Sequence, residues 1–382
     1  MNRGFAVFII LALISVILSF VIPDNSKRGF TNALSSYMIA DEENKLNYDD
    51  TREHLRVPAE LPFEYDFDNK EFNNGFEYEF NPNTHSGYYH KPQTLKFDCS
   101  DTIWYTTDGR LPEKNKTAYL YDNEKGIRLD TGVTNICIRA EKDGKMSRVY
   151  VGSYVILGST EDAFYGYGYN SLDKYDRYIY RSLYKAMSNY ETKFDVPFTN
   201  VSYQRLYRIF MCVNYDNPLL IQAPLSFVSW SGNKKDVSSI KLIYDFSKEA
   251  SEYYVEKTKK RAEEILNTAD GSESLFDYLL TIHNEILKNA EYDYTLESDG
   301  AYEAFGVLTA GSGVCESYSR AYQYLCQCIG VDNLLIVGTS NDEPHMWNMV
   351  MLGGEWYHAD LTWDDGDNLS LIHISEPTRP EP

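Results

Sequence analysis

The hydrophobic period of this chain changes near residue 158, and that change constrains its architecture more than any other feature. Between Asn81 and Leu157 apolar residues alternate in short runs, TLKFDC, TIWYTT, GIRLD, NICIRAE and MSRVYVGSYVI, with Asp108-Gly109 and Asp143-Gly144 as hairpin-type turns. Short strands at this spacing predict a small antiparallel β-sandwich over 81–157. From Gly158 onward apolar residues recur every three or four positions. Leu172 to Tyr190, Tyr203 to Val213, Glu249 to Leu266 and Ser274 to Asn289 therefore read as helices, with IKLIYDF, Ile240 to Phe246, as a strand among them. The chain is multidomain, and a strand-rich part follows Cys315.

The first 80 residues are of another kind. Arg3 precedes an uncharged run, Gly4 to Ile22, that ends at Pro23 and is long enough to span a bilayer. No small-x-small cleavage site follows it, so residues 1–23 are expected to form an uncleaved signal anchor, the alternative being a cleaved signal and a secreted protein. Arg3 then predicts a cytoplasmic amino terminus and an extracytoplasmic remainder, with membrane contact through residues 4–22. Residues 24–80 are polar and acidic and read as a linker, although the Phe/Tyr alternation from Phe72 to Phe80 is compatible with a strand. A formal net charge of -21 argues against nucleic acid as a partner, because phosphate binding needs Lys and Arg clusters.

Export makes the six cysteines worth placing. Cys326 and Cys328 lie two apart on one helix and cannot face each other. Strand alternation puts Cys99 with Leu95 and Phe97, but Cys137 opposite Ile136, Ile138 and Ala140. No CxxC pair and no metal-ligand spacing occurs, so the expectation is a chain without disulfides, metal or cofactor.

Cys315 is different. It follows Gly311, Ser312 and Gly313 and opens a helix whose apolar stripe is Tyr318, Ala321, Tyr322, Leu325 and Ile329, with Gly330 as its end. A helix N-terminus is where a cysteine nucleophile gains most from backbone N–H groups. A thiolate nucleophile needs a base, and the base needs an orienting partner. Downstream, PHMWNMVMLGGEWYHADLTWDD reads as a hairpin turning at Gly353-Gly354, which pairs Leu352 with Glu355, Met349 with His358, Trp347 with Asp360 and His345 with Thr362. His345, Trp347, His358, Asp360 and Asp364 then share one face. Both Asp360 and Asp364 are diagonal neighbours of His345, so spacing alone leaves two candidate carboxylates.

GVCESYSRAY, HMWNMV and WYHADLTWDD, in that order, resemble the transglutaminase-like superfamily, and AYEAFGVL and LYRIFMCVNYDNP resemble its bacterial members. The resemblance implies a papain-like α+β domain over 158–368, with Cys315 as nucleophile, His345 as base and Asp360 as the orienting carboxylate. Ser317 departs from the pattern, since the family usually has Gly there. GYYHKPQTLKF, IWYTTDGRLP and ICIRAEKDGKMSRVYVGSY resemble the small sandwich domain at the C-terminus of chitobiases and hexosaminidases, which implies an accessory, spacer or carbohydrate-contacting module. Trp104 and Tyr105 are its candidates for stacking on a sugar, although an aromatic in a sandwich strand is more often core. Residues 369–382, LSLIHISEPTRPEP, resemble the translation of a sequencing adapter, so they, with His373, are expected to have no part in function, and the natural protein is expected to continue.

The expected function is acyl transfer through a cysteine thioester, as peptide or amide hydrolysis at the cell surface, acting on a protein, a peptide or cell-wall material. The rival is a transglutaminase fold that binds or scaffolds without catalysis. A glycosidase would need paired carboxylates framing a cleft, and the acidic residues are too dispersed to nominate a pair.

Overall fold

A computed structural model describes residues 57–61, 70–158, 166–221, 229–340 and 343–365. The expected anchor and the adapter-like tail lie outside the described residues. Among those described, no helix is long and apolar enough to cross a membrane.

The N-terminal β region contains β1 (Gly87–Tyr89), β2 (Gln93–Leu95), β3 (Thr102–Thr106), β4 (Tyr119–Leu120), β5 (Ile127–Leu129), β6 (Gly132–Lys142), β7 (Lys145–Met146) and β8 (Tyr150–Ile156). A sheet of order β1-β8-β6-β3-β4, with β7 on β6, shares a core with the β2–β5 pair through Leu95, Phe97, Ile103, Leu129, Ile136, Ile138 and Tyr154. Two sequence expectations need correction. The sheet is mixed rather than antiparallel, because β1 returns beside β8 in parallel. The presumed linker is also partly docked: Phe80 packs on Phe97 and Tyr150, while Phe76 only bridges Ser147 and forms no strand. All six cysteines are free; Cys99 packs against this core and Cys137 is buried outside it. Trp104 is half-buried, its indole N–H donating to Glu141 at 2.8 Å beneath the Lys114 ammonium.

The rest of the chain begins with α1 (Tyr167–Asn170), α2 (Lys174–Ser188), β9 (Lys193–Asp195), α3 (Tyr203–Asp216), β10 (Ser229–Asn233) and β11 (Asp236–Lys241). The strand expected at Ile240–Phe246 thus lies earlier, and the chain leaves it two residues into that run. Then come α4 (Lys248–Ala269), α5 (Leu275–Leu287), β12 (Glu291–Tyr292), a π-helical turn (Gly306–Ala310), β13 (Ser312–Gly313) and α6 (Cys315–Cys328). A three-stranded antiparallel sheet, β14 (Asn333–Ser340), β15 (Glu343–Leu352) and β16 (Glu355–Ala359), and the single turn α7 (Leu361–Asp364) end the described chain.

Helix α6 is the hub. One core joins it to α4, α5, Val350 and Ala359, and a second packs α2 and α3 against Cys315, Leu335 and Met346. Every residue from Glu316 to Cys326 is buried, so the one-sided apolar stripe read from sequence understates its burial. Polar residues on the far face donate to the C-terminal end of α3: Arg320 Nη1 to Asn214 O at 3.1 Å, Gln323 Nε2 to Tyr215 O at 2.8 Å and Gln327 Nε2 to Asp216 O at 2.9 Å. Arg320 also pairs with Glu316 at 2.8 Å, which keeps both buried charges compensated.

The β region is welded to this body. Tyr88, Val155 and Leu157 enter the core of α4, α5 and α6, and His90 Nδ1 meets Asp270 at 2.9 Å. Val57 and Leu61 pack on the same core, and Leu275 N donates to Ala59 O, so this part of the expected linker is tethered as well.

Candidate active site

Helices α2, α3, α4 and α5 each begin at a residue whose side chain accepts from the first turn: Asp173, Ser202, Ser247 and Ser274. Helix α6 has no such cap, since Val314 stands at that place. Its first N–H groups are therefore not consumed by a capping side chain, and Cys315 stands at that end. The Cys315 backbone N–H lies near the Tyr292 hydroxyl, brought there by the parallel pairing of β12 with β13, Tyr292 against Gly313.

Two hydrogen bonds lock α6 to the histidine strand. Ser319 Oγ, one turn beyond Cys315, shares its proton between Cys315 O at 2.9 Å and Met346 O at 3.1 Å, and Asn348 Nδ2 donates to Ser319 O at 3.0 Å. His345, next to Met346, thereby stands close enough to the Cys315 thiol to be influenced by it. Its Nε2 lies 2.7 Å from Asp360 Oδ2. Burial opposes charging of His345, but its hydrogen bonds with Asp360 and Cys315 outweigh that and raise it to about 9. The ring is also stacked on Trp347 at 5.7 Å, and Trp347 Nε1–H donates to His358 Nδ1 at 2.9 Å. His358 is thus an acceptor that fixes Trp347, and burial pushes its basicity down.

The hairpin follows the expected register from Leu352–Glu355 to Met349–His358, helped by Gly353 and Gly354 with φ of 62° and 90°, a turn that side chains disfavour. It stops at Asn348–Ala359. The pairings expected for Trp347 with Asp360 and His345 with Thr362 do not form, because Asp360 caps the turn α7 by accepting from Trp363 N at 3.4 Å. This turn separates the carboxylates that strand spacing left equivalent. Asp360 faces His345, Asp364 Oδ2 lies 3.1 Å from His283 Nε2, and Asp365 accepts from the Tyr318 hydroxyl at 2.5 Å.

The Ser317 hydroxyl is committed to the segment before the helix. It donates to Glu303 O at 2.6 Å and accepts from Val307 N at 3.1 Å. Gly306 and Gly313 leave the room for it, since a Cβ at either would fall within 2.7 Å of the Ser317 hydroxyl. Sequence reading did not find Tyr292, Ser319, Asn348 or His283. Only Asn348 carried a local signal, as a polar residue inside an apolar strand run.

Residues 259–361 match the sequence model of the transglutaminase-like superfamily. A transglutaminase-like domain of mixed α/β content therefore occupies this part of the chain, and Cys315, His345 and Asp360 all fall within it. Three solved structures are similar in part. A transglutaminase is 16% identical over 35% of this chain and 43% of its own, with a TM-score of 0.27. A candidate cysteine protease from Cytophaga hutchinsonii is 15% identical over 36% and 61%, with a TM-score of 0.24. Red sea bream transglutaminase is 10% identical over 76% and 51%, with a TM-score of 0.25. The chain thus spans 43% to 61% of these structures' own lengths, and the family match rather than these remote likenesses carries the assignment. No curated protein matches the chain.

Proposed function

We propose that this protein is a cysteine acyltransferase of the cell surface that hydrolyses peptide or amide bonds. The observation that carries this reading is a single imidazole, His345, whose Nε2 lies 2.7 Å from the Asp360 carboxylate and whose basicity is raised by Asp360 and by the nearby Cys315 thiol together. His345 takes the thiol proton, and the thiolate attacks the substrate carbonyl. The tetrahedral intermediate collapses to a thioester as the imidazolium returns the proton to the leaving amine, while Asp360 holds ring orientation and charge. Water, deprotonated by His345, then releases the acid and restores the thiol.

The uncapped start of α6 supports the next element, since the Cys315 N–H is a natural donor to the oxyanion. Tyr292 is the candidate second donor. Its hydroxyl lies near that N–H, and burial with the nearby Cys315 pushes it up to about 12, so it keeps its proton at neutral pH. The reading includes residues 4–22 as a membrane anchor, an extracytoplasmic catalytic domain, and the β region as an accessory spacer or carbohydrate contact. Hydrolysis is preferred to cross-linking for an anchored protein.

Labelling with iodoacetamide, mapped by mass spectrometry, tests the enzyme against the inactive scaffold. Cys315 should react well before Cys326, whose thiol burial holds strongly protonated. Labelling of Cys315 no faster than that of Cys326 would leave the scaffold as the better account. Product analysis with a peptide substrate and an added primary amine separates hydrolysis from transamidation.

A further inference from the structure

Two aromatic side chains stand exposed beside the nucleophile while their backbones are held firmly. Tyr294 is 88% exposed, and its ring lies 4.8 Å from that of Tyr292, the residue whose hydroxyl meets the Cys315 N–H. Its loop is fixed by the buried Asp293 carboxylate. That carboxylate accepts from Thr295 N at 2.9 Å, Thr295 Oγ1 at 2.7 Å, Leu296 N at 2.8 Å and Ser298 N at 3.0 Å. Asp293 N in turn donates to Gly313 O, two residues before the nucleophile. On the imidazole side Trp363 is 56% exposed and meets the His345 ring edge-on at 6.2 Å, while its backbone N–H donates to the Asp360 carboxylate. Both rings are thus positioned by groups that belong to, or adjoin, the proposed catalytic constellation, and both are exposed among the described residues. Rigidly presented, exposed aromatic surface is preorganised for a ligand.

We propose that Tyr294 and Trp363 are the two walls of the acyl-donor cleft, and that they select a peptide with an aromatic or large aliphatic side chain beside the carbonyl attacked by Cys315. This rests on Cys315 being the nucleophile. Tyr294 adjoins Tyr292, which lies near the Cys315 backbone N–H, and Trp363 adjoins His345, so each ring borders a neighbour of Cys315, and on this reading the substrate side chain beside the attacked carbonyl lies between them. The nearby carboxylates are committed within the protein, Asp360 to His345, Asp364 to His283 and Asp293 to its own loop. The walls therefore offer apolar area rather than the polar rim that sugar recognition needs.

The test uses the full chain and a series of dipeptidyl chloromethyl ketones that differ only in the side chain next to the reactive carbon: glycine, glutamate, leucine and phenylalanine. Second-order inactivation should be at least about tenfold faster for phenylalanine or leucine than for glycine, the scale on which apolar pockets discriminate. Tyr294→Ala and Trp363→Ala should each compress that ratio to about threefold or less, and Trp363→Phe should restore most of it. Using a ratio cancels any common effect of Trp363 on His345. A flat series in the wild type, or ratios unchanged in both alanine variants, overturns the walls. So does a stronger preference for a glycan-bearing peptide ketone that Trp363→Ala abolishes. Iodoacetamide run in parallel reads the nucleophile alone: if Cys315 labels rapidly while the series is flat, the walls fail and the catalytic reading stands.

Discussion

Two histidine–aspartate pairs draw their carboxylates from one turn of chain, α7, and only one of them has a cysteine thiol beside it. Asp360 at the start of the turn holds His345 at 2.7 Å, and Asp364 at its end lies 3.1 Å from His283. Both imidazoles are largely removed from solvent, with side chains 10% and 4% exposed. The difference lies on the far side of each ring. His345 meets the Cys315 thiol, whereas His283 Nδ1 faces Asn284 Oδ1 at 3.0 Å and its ring edges Tyr322. A histidine–carboxylate pair is therefore a structural unit that becomes chemical only where a reactive group completes it.

The contrast breaks most visibly at the thiol. Cys315→Ser should reduce turnover by about 10⁴-fold or more while leaving near-ultraviolet circular dichroism intact, and turnover within tenfold of wild type would sink the mechanism. Asp360→Asn should keep the thiol but lose about 10²-fold in kcat, because the ring loses its orienting charge. Asp364→Ala should do the opposite. Removing the partner of buried His283 should cost about 1–3 kcal/mol in denaturant unfolding, with kcat changed less than about threefold. If Asp364→Ala proves the more damaging to kcat, the two pairs have been assigned the wrong way round.

A pH series sharpens the same comparison. His345 has its basicity raised, so the stability it contributes is complete below its ordinary value of about 6.5 and is lost as pH rises through about 9. Activity that needs the imidazolium–thiolate pair should accordingly fall on an alkaline limb near 9. In Asp360→Asn that limb should move downward, and in Asp364→Ala it should stay in place. The smallest effect is expected at the support behind the ring: Trp347→Phe keeps a stacking face but loses the bond to His358, and should lower kcat only about two- to fivefold.

The long helices α2 to α5 were legible within two or three residues, because each shows its own apolar spacing and opens with an Asp or Ser cap. The hairpin register was legible as far as Ala359, because Gly353-Gly354 sets where the strands fold back. Beyond that point strand alternation misled: it put Asp360 and Asp364 on one face with His345, whereas the chain turns helical at Asp360. A four-residue turn has too little periodicity to announce itself. In the β region, alternation found the strands but not the parallel return of β1 beside β8, since pairing partners far apart leave no local trace.

What the sequence determined by itself is local. It set the helix that opens at Cys315, the strand that carries His345, the glycine turn behind it, and the unoccupied cap before the nucleophile. These depend on neighbours within a few residues, where backbone preference and side-chain chemistry act directly. Tertiary structure decided which groups meet. It placed Ser319 and Asn348 so that α6 and β15 lock in one register, sent three carboxylates of one short segment to His345, His283 and Tyr318, and brought Tyr292 across a parallel pairing to the Cys315 N–H. Contacts of that kind join residues tens of positions apart. They are chosen by the packing of whole elements around α6, which no window of sequence contains.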